Sequence, residues 1–203
     1  MSLEWREIAR FGSKVVASGL TTSRFGNISL KNGDSIFITC TGSMLDELDA
    51  TKVVQVDLHG PCDFDRIASS ETCVHRAVYK GTTAHAIIHT HSPYAVALSL
   101  IEREILKPID SEGLIFMGDV PIVSGRFGTE DLAGNVSAAL QNSKACIARG
   151  HGVFVAGENL NEAYTLACMV EHSSQVLYLV KAYQRVAENR IGIDYDKVQG
   201  TAQ

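Results

Sequence analysis

The sequence predicts a single domain of the α/β class. The chain has 203 residues, 45% of them hydrophobic, which is enough to bury one substantial core. Short runs of β-branched and other apolar residues alternate along the chain with longer stretches of helical period. The sequence contains no repeats, linkers or low-complexity tracts. We therefore expect one domain over residues 1–203, with little order in the polar tail from about 191.

Composition excludes several classes of protein. A net charge of -5 argues against nucleic-acid binding. No apolar run approaches the roughly 18 residues that a membrane span needs, and the amino terminus lacks the pattern of a signal peptide. We therefore expect a cytoplasmic protein. Its five cysteines are odd in number and widely spaced, so we interpret them as reduced packing residues: Cys40, Cys62, Cys73, Cys146 and Cys168.

The first half of the chain is predicted to begin with a helix and continue as strands. An apolar stripe at helical spacing indicates a helix over residues 3–20. A strand begins just after Gly26-Asn27, and Asn32-Gly33 is typical of a hairpin turn before the next strand. The predicted elements that follow are a strand over 35–40, a short helix over 46–52, a strand over 53–58, a turn at 59–61 and a helix from Ser69 to Tyr79.

The second half alternates strands and helices in the same way. Ser92 as N-cap and Pro93 at the first helical position predict a helix that follows a buried strand. Asn159-x-x-Glu162 resembles a capping box for a long last helix with a buried face that reaches Val180. The predicted elements are a strand over 84–90, a helix over 93–101, a loop over 108–113, a strand over 120–123, a turn over 125–128, a helix over 129–141 and two short strands flanking residue 151.

A pair of histidines ends the central strand. His89 and His91 are two positions apart, and alternate strand residues point to the same face, so both imidazoles face one side. They lie where strand gives way to helix, at an edge of the predicted sheet. Two neighbouring imidazoles are half of a catalytic metal site, which needs three protein ligands and an open position.

The best candidate for a third ligand is His151. It lies in Gly150-His151-Gly152 between two apolar runs, and flanking glycines let the backbone turn tightly and let a ligand approach the ring. Glu71, at the start of a helix, is the fourth candidate, as a metal ligand or as a base.

A histidine on its own in a strand is more often a hydrogen-bonded core or surface residue. The combination of His-x-His with Gly-His-Gly raises the metal interpretation to an equal footing with that one. The remaining histidines have no such neighbours, and we assign them structural roles: His59, His75, His85 and His172.

Three other segments carry groups that suit an anion. Asn27 can donate an amide hydrogen bond, and Thr41-Gly42 offers a hydroxyl beside bare backbone. Ser69 and Ser70 open a helix, whose free amides favour negative charge. Each is also explained as an ordinary loop or as a helix cap.

Taken together, these motifs resemble the class II aldolase and adducin family. The resemblance rests on five motifs in the family's order and at its intervals, and it covers about 3–183: Phe25-Gly26-Asn27-Ile28-Ser29, Thr39-Cys40-Thr41-Gly42, Ser69-Ser70-Glu71, His89-Thr90-His91-Ser92 and Gly150-His151-Gly152. It is strongest to the members that cleave L-fuculose 1-phosphate. It implies a three-layer α/β/α sandwich with a central, mostly antiparallel sheet, and a homotetramer with sites between subunits.

The resemblance also implies the roles of individual residues. His89, His91 and His151 hold a divalent metal, most often Zn²⁺, with Mn²⁺ or Co²⁺ as alternatives. Glu71 is the acid/base and a further metal ligand when substrate is absent. The substrate phosphate is bound by six residues: Gly26, Asn27, Thr41, Gly42, Ser69 and Ser70.

The implied reaction is the reversible cleavage of a ketose 1-phosphate to dihydroxyacetone phosphate and a short aldehyde such as lactaldehyde, through a metal-stabilised enediolate. Two alternatives on the same scaffold are methylthioribulose-1-phosphate dehydratase and ribulose-phosphate 4-epimerase, against which Glu71 argues. A third alternative is a non-enzymatic module, as in adducin. That module lacks the metal histidines, whereas this chain has all three. Where the family has a tyrosine as proton donor, this chain has Asp110. The identity of the second acid is therefore open, with three candidates: Asp110, Glu112 and Tyr195.

Overall fold

The backbone forms one eight-stranded sheet between two layers of helices. The computed structural model describes residues 3–191, so Tyr195 and the tail beyond Ile191 lie outside the described residues. The strands are Asn27–Asn32 (β1), Ser35–Thr39 (β2), Val53–Asp57 (β3), Ala86–Thr90 (β4), Ile105–Leu106 (β5), Val120–Val123 (β6), Ala145–Ala148 (β7) and Gly152–Gly157 (β8). The helices are Glu4–Ala17 (α1), Thr72–Gly81 (α2), Pro93–Ser99 (α3), Glu130–Leu140 (α4) and Leu160–Ile191 (α5).

The sheet is mostly antiparallel, as predicted. Its strands lie in the order β3-β2-β1-β4-β8-β7-β6-β5, and β6 with β7 is its parallel pair. In the centre, β4 pairs with β1 on one side and with β8 on the other. These two pairs place Asn27 and Phe154 on either side of His89. The end of β4 is therefore enclosed by two neighbouring strands.

Alternate residues of the central strands enter two separate cores. Ala86 and Ile88 of β4 belong to the core that α1, α3 and α5 cover, whereas Ile87 belongs to the core that α2 and α4 cover. This period of two is what a strand buried on both faces requires. The three-layer α/β/α arrangement is thus confirmed. Within residues 3–191, no helix combines the length and the apolar character that a membrane span needs.

The predicted helix over 46–52 is wrong. Only Leu45–Glu47 form a helical turn, of the 3-10 type. The Asp49 carboxylate accepts hydrogen bonds from the backbone amide of Thr51 at 2.8 Å and from its hydroxyl at 2.6 Å. Such local side-chain bonds compete with helical ones, because they satisfy the backbone in a turn.

The segment between β5 and β6 also differs from its prediction. The expected loop over 108–113 leads directly into a π-helix over Gly113–Met117, which the sequence did not indicate. Gly118, with a φ of 74°, ends it. The preceding strand β5 has two residues and is too short for periodicity to detect.

The helix ends follow the sequence only in part. Ser92 occupies the N-cap of α3, but the capping group is the carboxylate of Glu171, which accepts from the amides of Tyr94 and Ala95 at 3.0 Å each. In α5, Asn159 accepts from the amide of Glu162 at 3.0 Å, which is half of a capping box. The last buried apolar residue of its described face is Leu177; Val180 is 38% exposed, so placing it on the buried face was wrong.

Candidate active site

Three histidines from two distant segments meet at one edge of the sheet. His89 lies in β4, His91 follows the end of that strand, and His151 lies in the turn between β7 and β8. Their ring centroids are 5.0 Å apart for His89 and His91, 4.8 Å for His89 and His151, and 4.9 Å for His91 and His151. One ring nitrogen of each lies within 4.8 Å of the others. That spacing suits a shared metal ion.

Close backbone packing around His89 brings these segments together. A Cβ atom added to Gly26 would overlap the carbonyl oxygen of His89, and one added to Gly152 would overlap the carbonyl oxygen of Thr90. Glycine at both positions therefore allows the neighbouring segments to approach β4. The turn that carries His151 is fixed by Arg149, whose guanidinium donates to three carbonyl oxygens at the end of α3 and beyond: those of Ser99, Glu102 and Arg103.

The surroundings of His89 set its tautomer. Its Nδ1 donates to the carbonyl of Val153 at 2.9 Å, so the lone pair lies on Nε2. This Nε2 atom is 3.2 Å from Nε2 of His91 and 3.1 Å from Oε2 of Glu71. Burial holds the pKa of His89 well below its usual range, and burial also lowers the pKa of His91. A neutral imidazole whose lone pair faces the neighbouring ligand atoms is what a metal ion requires.

Glu71 occupies the N-cap position of α2 and faces the same point. Its side chain is almost fully buried, and Oε2 accepts a hydrogen bond from the amide of Asn27 at 2.9 Å. Its other oxygen, Oε1, is buried, has no hydrogen-bond partner within residues 3–191, and lies 3.7 Å from Nε2 of His151. A buried carboxylate oxygen without a donor is costly unless a cation or a substrate proton satisfies it. The residues present therefore fit a divalent metal.

A cavity of about 610 Å³ opens beside this cluster. Its lining includes His91, His151 and Glu71 and all six residues predicted to bind an anion: Gly26, Asn27, Thr41, Gly42, Ser69 and Ser70. Gly42 has a φ of +72°, a conformation that side chains rarely adopt. The segment before Ser69 is tied to α2 by the carboxylate of Asp65, which accepts from Arg76 at 2.5 Å and 2.8 Å. The structure thus brings the predicted metal and anion groups into one cavity.

Two lining features were missed from the sequence. Arg24 is exposed, lines the cavity near Gly42, and has no acidic partner within the described part of the chain. It was missed because a single arginine in a loop carries no pattern. Phe25 and Phe127 also line the cavity, and the ring of Phe25 stacks on His91 at 5.6 Å.

A row of buried polar side chains behind Glu71 was missed as well. Tyr79, Ser29, His75 and Asn27 are joined by hydrogen bonds and end at the Glu71 carboxylate. The spacing Glu71-x-x-x-His75-x-x-x-Tyr79 places three of these residues on one face of a helix, and this pattern was available in the sequence. A structural role was predicted for His75, without a connection to Glu71.

The candidates for a second acid lie elsewhere. Asp110 and Glu112 are not among the residues that line the cavity. They form a separate group with His172, whose Nε2 is 3.6 Å from Oε2 of Glu112. Their predicted role depends on a neighbouring subunit and stays a prediction.

Comparisons with known proteins show the family and agree with the fold. The model of the Class II Aldolase and Adducin N-terminal domain family matches residues 6–178. The crystal structure of an L-fuculose-1-phosphate aldolase from Thermus thermophilus superimposes with a TM-score of 0.83 at 34% identity, covering 89% of this chain and 95% of that one.

Two relatives differ in the sugar that their names give. An L-fuculose phosphate aldolase from Methanococcus maripaludis is 33% identical over 168 residues, which is 82% of this chain and 88% of the relative. A 5-deoxy-D-ribulose 1-phosphate aldolase from Bacillus thuringiensis is 31% identical over 187 residues, which is 88% of this chain and 86% of the relative.

Proposed function

Because the chain belongs to the class II aldolase and adducin family, we propose that it cleaves a ketose 1-phosphate such as L-fuculose 1-phosphate to dihydroxyacetone phosphate and a short aldehyde such as lactaldehyde. The coarser assignment, a class II aldolase and therefore a lyase, follows from relatives with that activity at 33% and 34% identity. The preference for a sugar is the part that we propose.

The observation that carries the proposal is the shared cavity. Its lining brings two histidines and the Glu71 carboxylate together with hydroxyls and backbone amides suited to a phosphate. A ketose 1-phosphate has the same two parts, an oxygen-rich reacting centre and a terminal dianion. The volume of about 610 Å³ is within the range of small-molecule sites.

We assign the metal to His89, His91 and His151, with Glu71 as a fourth ligand when no substrate is bound. Imidazole and carboxylate ligands favour Zn²⁺, and Mn²⁺ or Co²⁺ are the alternatives. When bound, the metal supplies Lewis-acid stabilisation of the negative charge that develops on substrate oxygens.

Glu71 is the group that moves the proton. Its Oε2 is held by Asn27, whereas Oε1 has no partner within residues 3–191 and is free to bind a proton. In condensation the Glu71 carboxylate removes a proton from the carbon of dihydroxyacetone phosphate that forms the new C–C bond. In cleavage that C–C bond breaks, the hydroxyl of the departing aldehyde half loses its proton, and the Glu71 carboxylic acid returns a proton to the same carbon. Phe25 and Phe127 form apolar walls near the histidines, which favours exclusion of water there.

The direct test is the product formed from different sugar phosphates. The metal-loaded protein is incubated with L-fuculose 1-phosphate, 5-deoxy-D-ribulose 1-phosphate, methylthioribulose 1-phosphate and L-ribulose 5-phosphate, and dihydroxyacetone phosphate is measured by a coupled reductase assay. We expect it from the first two sugars. Dehydration or epimerisation without triose phosphate would instead support one of the two alternative activities.

The phosphate is bound in this proposal by the six cavity residues named above, together with Arg24. We expect Arg24→Met to raise KM for a ketose 1-phosphate about ten- to a hundredfold, because a charge-assisted hydrogen bond to the dianion is lost, with kcat nearly unchanged. Arg24→Lys is expected to recover part of the affinity. Steady-state kinetics decide this, with the exposed Arg10→Met as the matched control. An unchanged KM for Arg24→Met would remove Arg24 from the site.

We also propose a homotetramer with its sites between subunits. Exposed apolar side chains support association of copies. Helix α5 contacts both α3 and the π-helix, and the exposed residues lie directly after α3, in the π-helix and on α5: Leu100, Ile101, Leu114, Ile115, Phe116, Leu179 and Tyr183. Exposed apolar residues that lie close together often mark protein interfaces.

A further inference from the structure

The buried polar groups behind Glu71 form an unbroken series of hydrogen bonds. The hydroxyl of Tyr79 is 2.7 Å from Oγ of Ser29, and that oxygen is 2.6 Å from Nδ1 of His75. Nε2 of His75 is 2.6 Å from Oδ1 of Asn27, whose amide nitrogen is 2.9 Å from Glu71. All five side chains are 5% exposed or less. We call Tyr79, Ser29, His75 and Asn27 the polar row.

With Glu71 as a carboxylate, one direction of donation is consistent with all four contacts. An ionised carboxylate accepts and never donates, so the Asn27 amide must donate to Glu71 and its Oδ1 must accept from His75. His75 therefore carries its proton on Nε2 and accepts from Ser29 at Nδ1, which leaves Ser29 to accept from Tyr79. Full burial lowers the pKa of His75 to about 3, so the ring is neutral.

The histidine acts together with the carboxylate to set which end of the Asn27 amide faces Glu71. If the amide were rotated by half a turn, its oxygen would face the carboxylate and its nitrogen would face the ring N–H. Both new contacts would be repulsive, and in a buried setting each would be costly. The Nε2–H tautomer of His75 therefore adds to the carboxylate in keeping the donor end of Asn27 on Oε2, which leaves Oε1 without a donor among the described residues.

We propose that His75 is a positioning residue for the acid/base, acting through Asn27. It touches neither the cavity nor the metal histidines; it fixes the orientation of the Asn27 amide, and through it the Glu71 carboxylate. The inference rests on the proposed role of Glu71 in proton transfer. The competing explanation is that the polar row only stabilises the packing of α2 against the sheet.

Three variants separate these explanations. His75→Leu removes the donor to Asn27, whereas His75→Gln places an amide N–H near the position of the ring Nε2–H. Val78→Ala is the matched control, since it removes buried volume from the same helix without touching the polar row. For each, kcat, KM, bound metal and the midpoint of thermal unfolding are measured.

We expect His75→Leu to lower kcat about ten- to a hundredfold, the usual effect of losing a partner behind a functional side chain. KM and metal content should change little, and His75→Gln should recover most of kcat. Val78→Ala should lose stability but keep kcat. Wild-type kcat in folded His75→Leu, or a folded His75→Gln as slow as His75→Leu, would overturn the proposal.

A second measurement does not depend on activity. Nitrogen-15 NMR of histidine-labelled wild-type protein, with His75→Gln used to assign the ring, reports which nitrogen of His75 is protonated. We expect the Nε2–H tautomer at neutral pH. An Nδ1–H tautomer or a charged ring would contradict the proposal even if His75→Leu failed to fold. If the wild-type protein cleaved no ketose phosphate, the proposed function would fail separately, and the tautomer would still test the orientation of Asn27.

Discussion

Replacement of Glu71 with glutamine is expected to lower kcat about a thousandfold, within the range that general acid/base groups contribute. An amide cannot take up the proton that Oε1 is placed to receive. Because the side chains have the same shape, the glutamine oxygen can still accept from Asn27 and the cavity should keep its form. The three histidines remain, so the metal should stay bound. KM should therefore change less than kcat.

Glu158→Gln makes the same chemical change at an exposed site remote from the cavity and serves as the control. Its kcat should equal that of the wild type. Single-turnover kinetics with metal analysis of the same samples would separate loss of chemistry from loss of the ion. If Glu71→Gln cleaved substrate at the wild-type rate, proton transfer would have to be assigned to another group.

Removal of one metal-ligating imidazole should lower activity by a comparable factor, because the metal is lost rather than the group that transfers the proton. His151→Ala deletes one of the three histidines that meet at the edge of the sheet, and the remaining pair with Glu71 should bind a divalent ion much more weakly. We expect dialysed His151→Ala to contain little metal and to lose about three orders of magnitude in kcat/KM, as is usual when a catalytic group is removed. Elemental analysis and steady-state kinetics measure both changes.

The matched control is His59→Ala. His59 is exposed, pairs with Asp34 and does not belong to the histidine cluster. It should retain both metal and activity. Treatment of wild-type protein with a chelator should reproduce the His151→Ala result, and added Zn²⁺ should restore activity to the wild type but not to the variant. Full metal content in His151→Ala would exclude His151 as a ligand.

The sequence predicted the parts of this molecule that depend on local patterns. The apolar run ending in His89 indicated both a central strand and the common direction of two imidazoles, because alternation along a strand is a strictly local property. The glycines around His151 indicated a tight turn between strands for the same reason. The helix that begins beside Glu71 was found from its hydroxyl residues and its period.

Features that depend on long-range contacts were not predictable in this way. The cap of α3 comes from Glu171, 77 residues away from Tyr94, so no local pattern marks it. Asn27 was predicted to bind an anion, and its contact with Glu71, which uses one N–H of its amide, was not predicted, because it arises where β1 pairs with β4 and places Asn27 opposite His89. Val180 fits the apolar period of α5, yet no described residue after Leu177 on that helix is buried.

The glycines beside β4 limit where this enzyme can change its substrate preference. Gly26 and Gly152 leave no space for even a methyl group next to the backbone at His89 and Thr90, so these two positions are closed to variation. Phe25 and Phe127 line the cavity, are more than half exposed and can be exchanged without disturbing the core. Evolution or laboratory selection for a different aldehyde should therefore act on Phe25 and Phe127 and leave Gly26 and Gly152 unaltered.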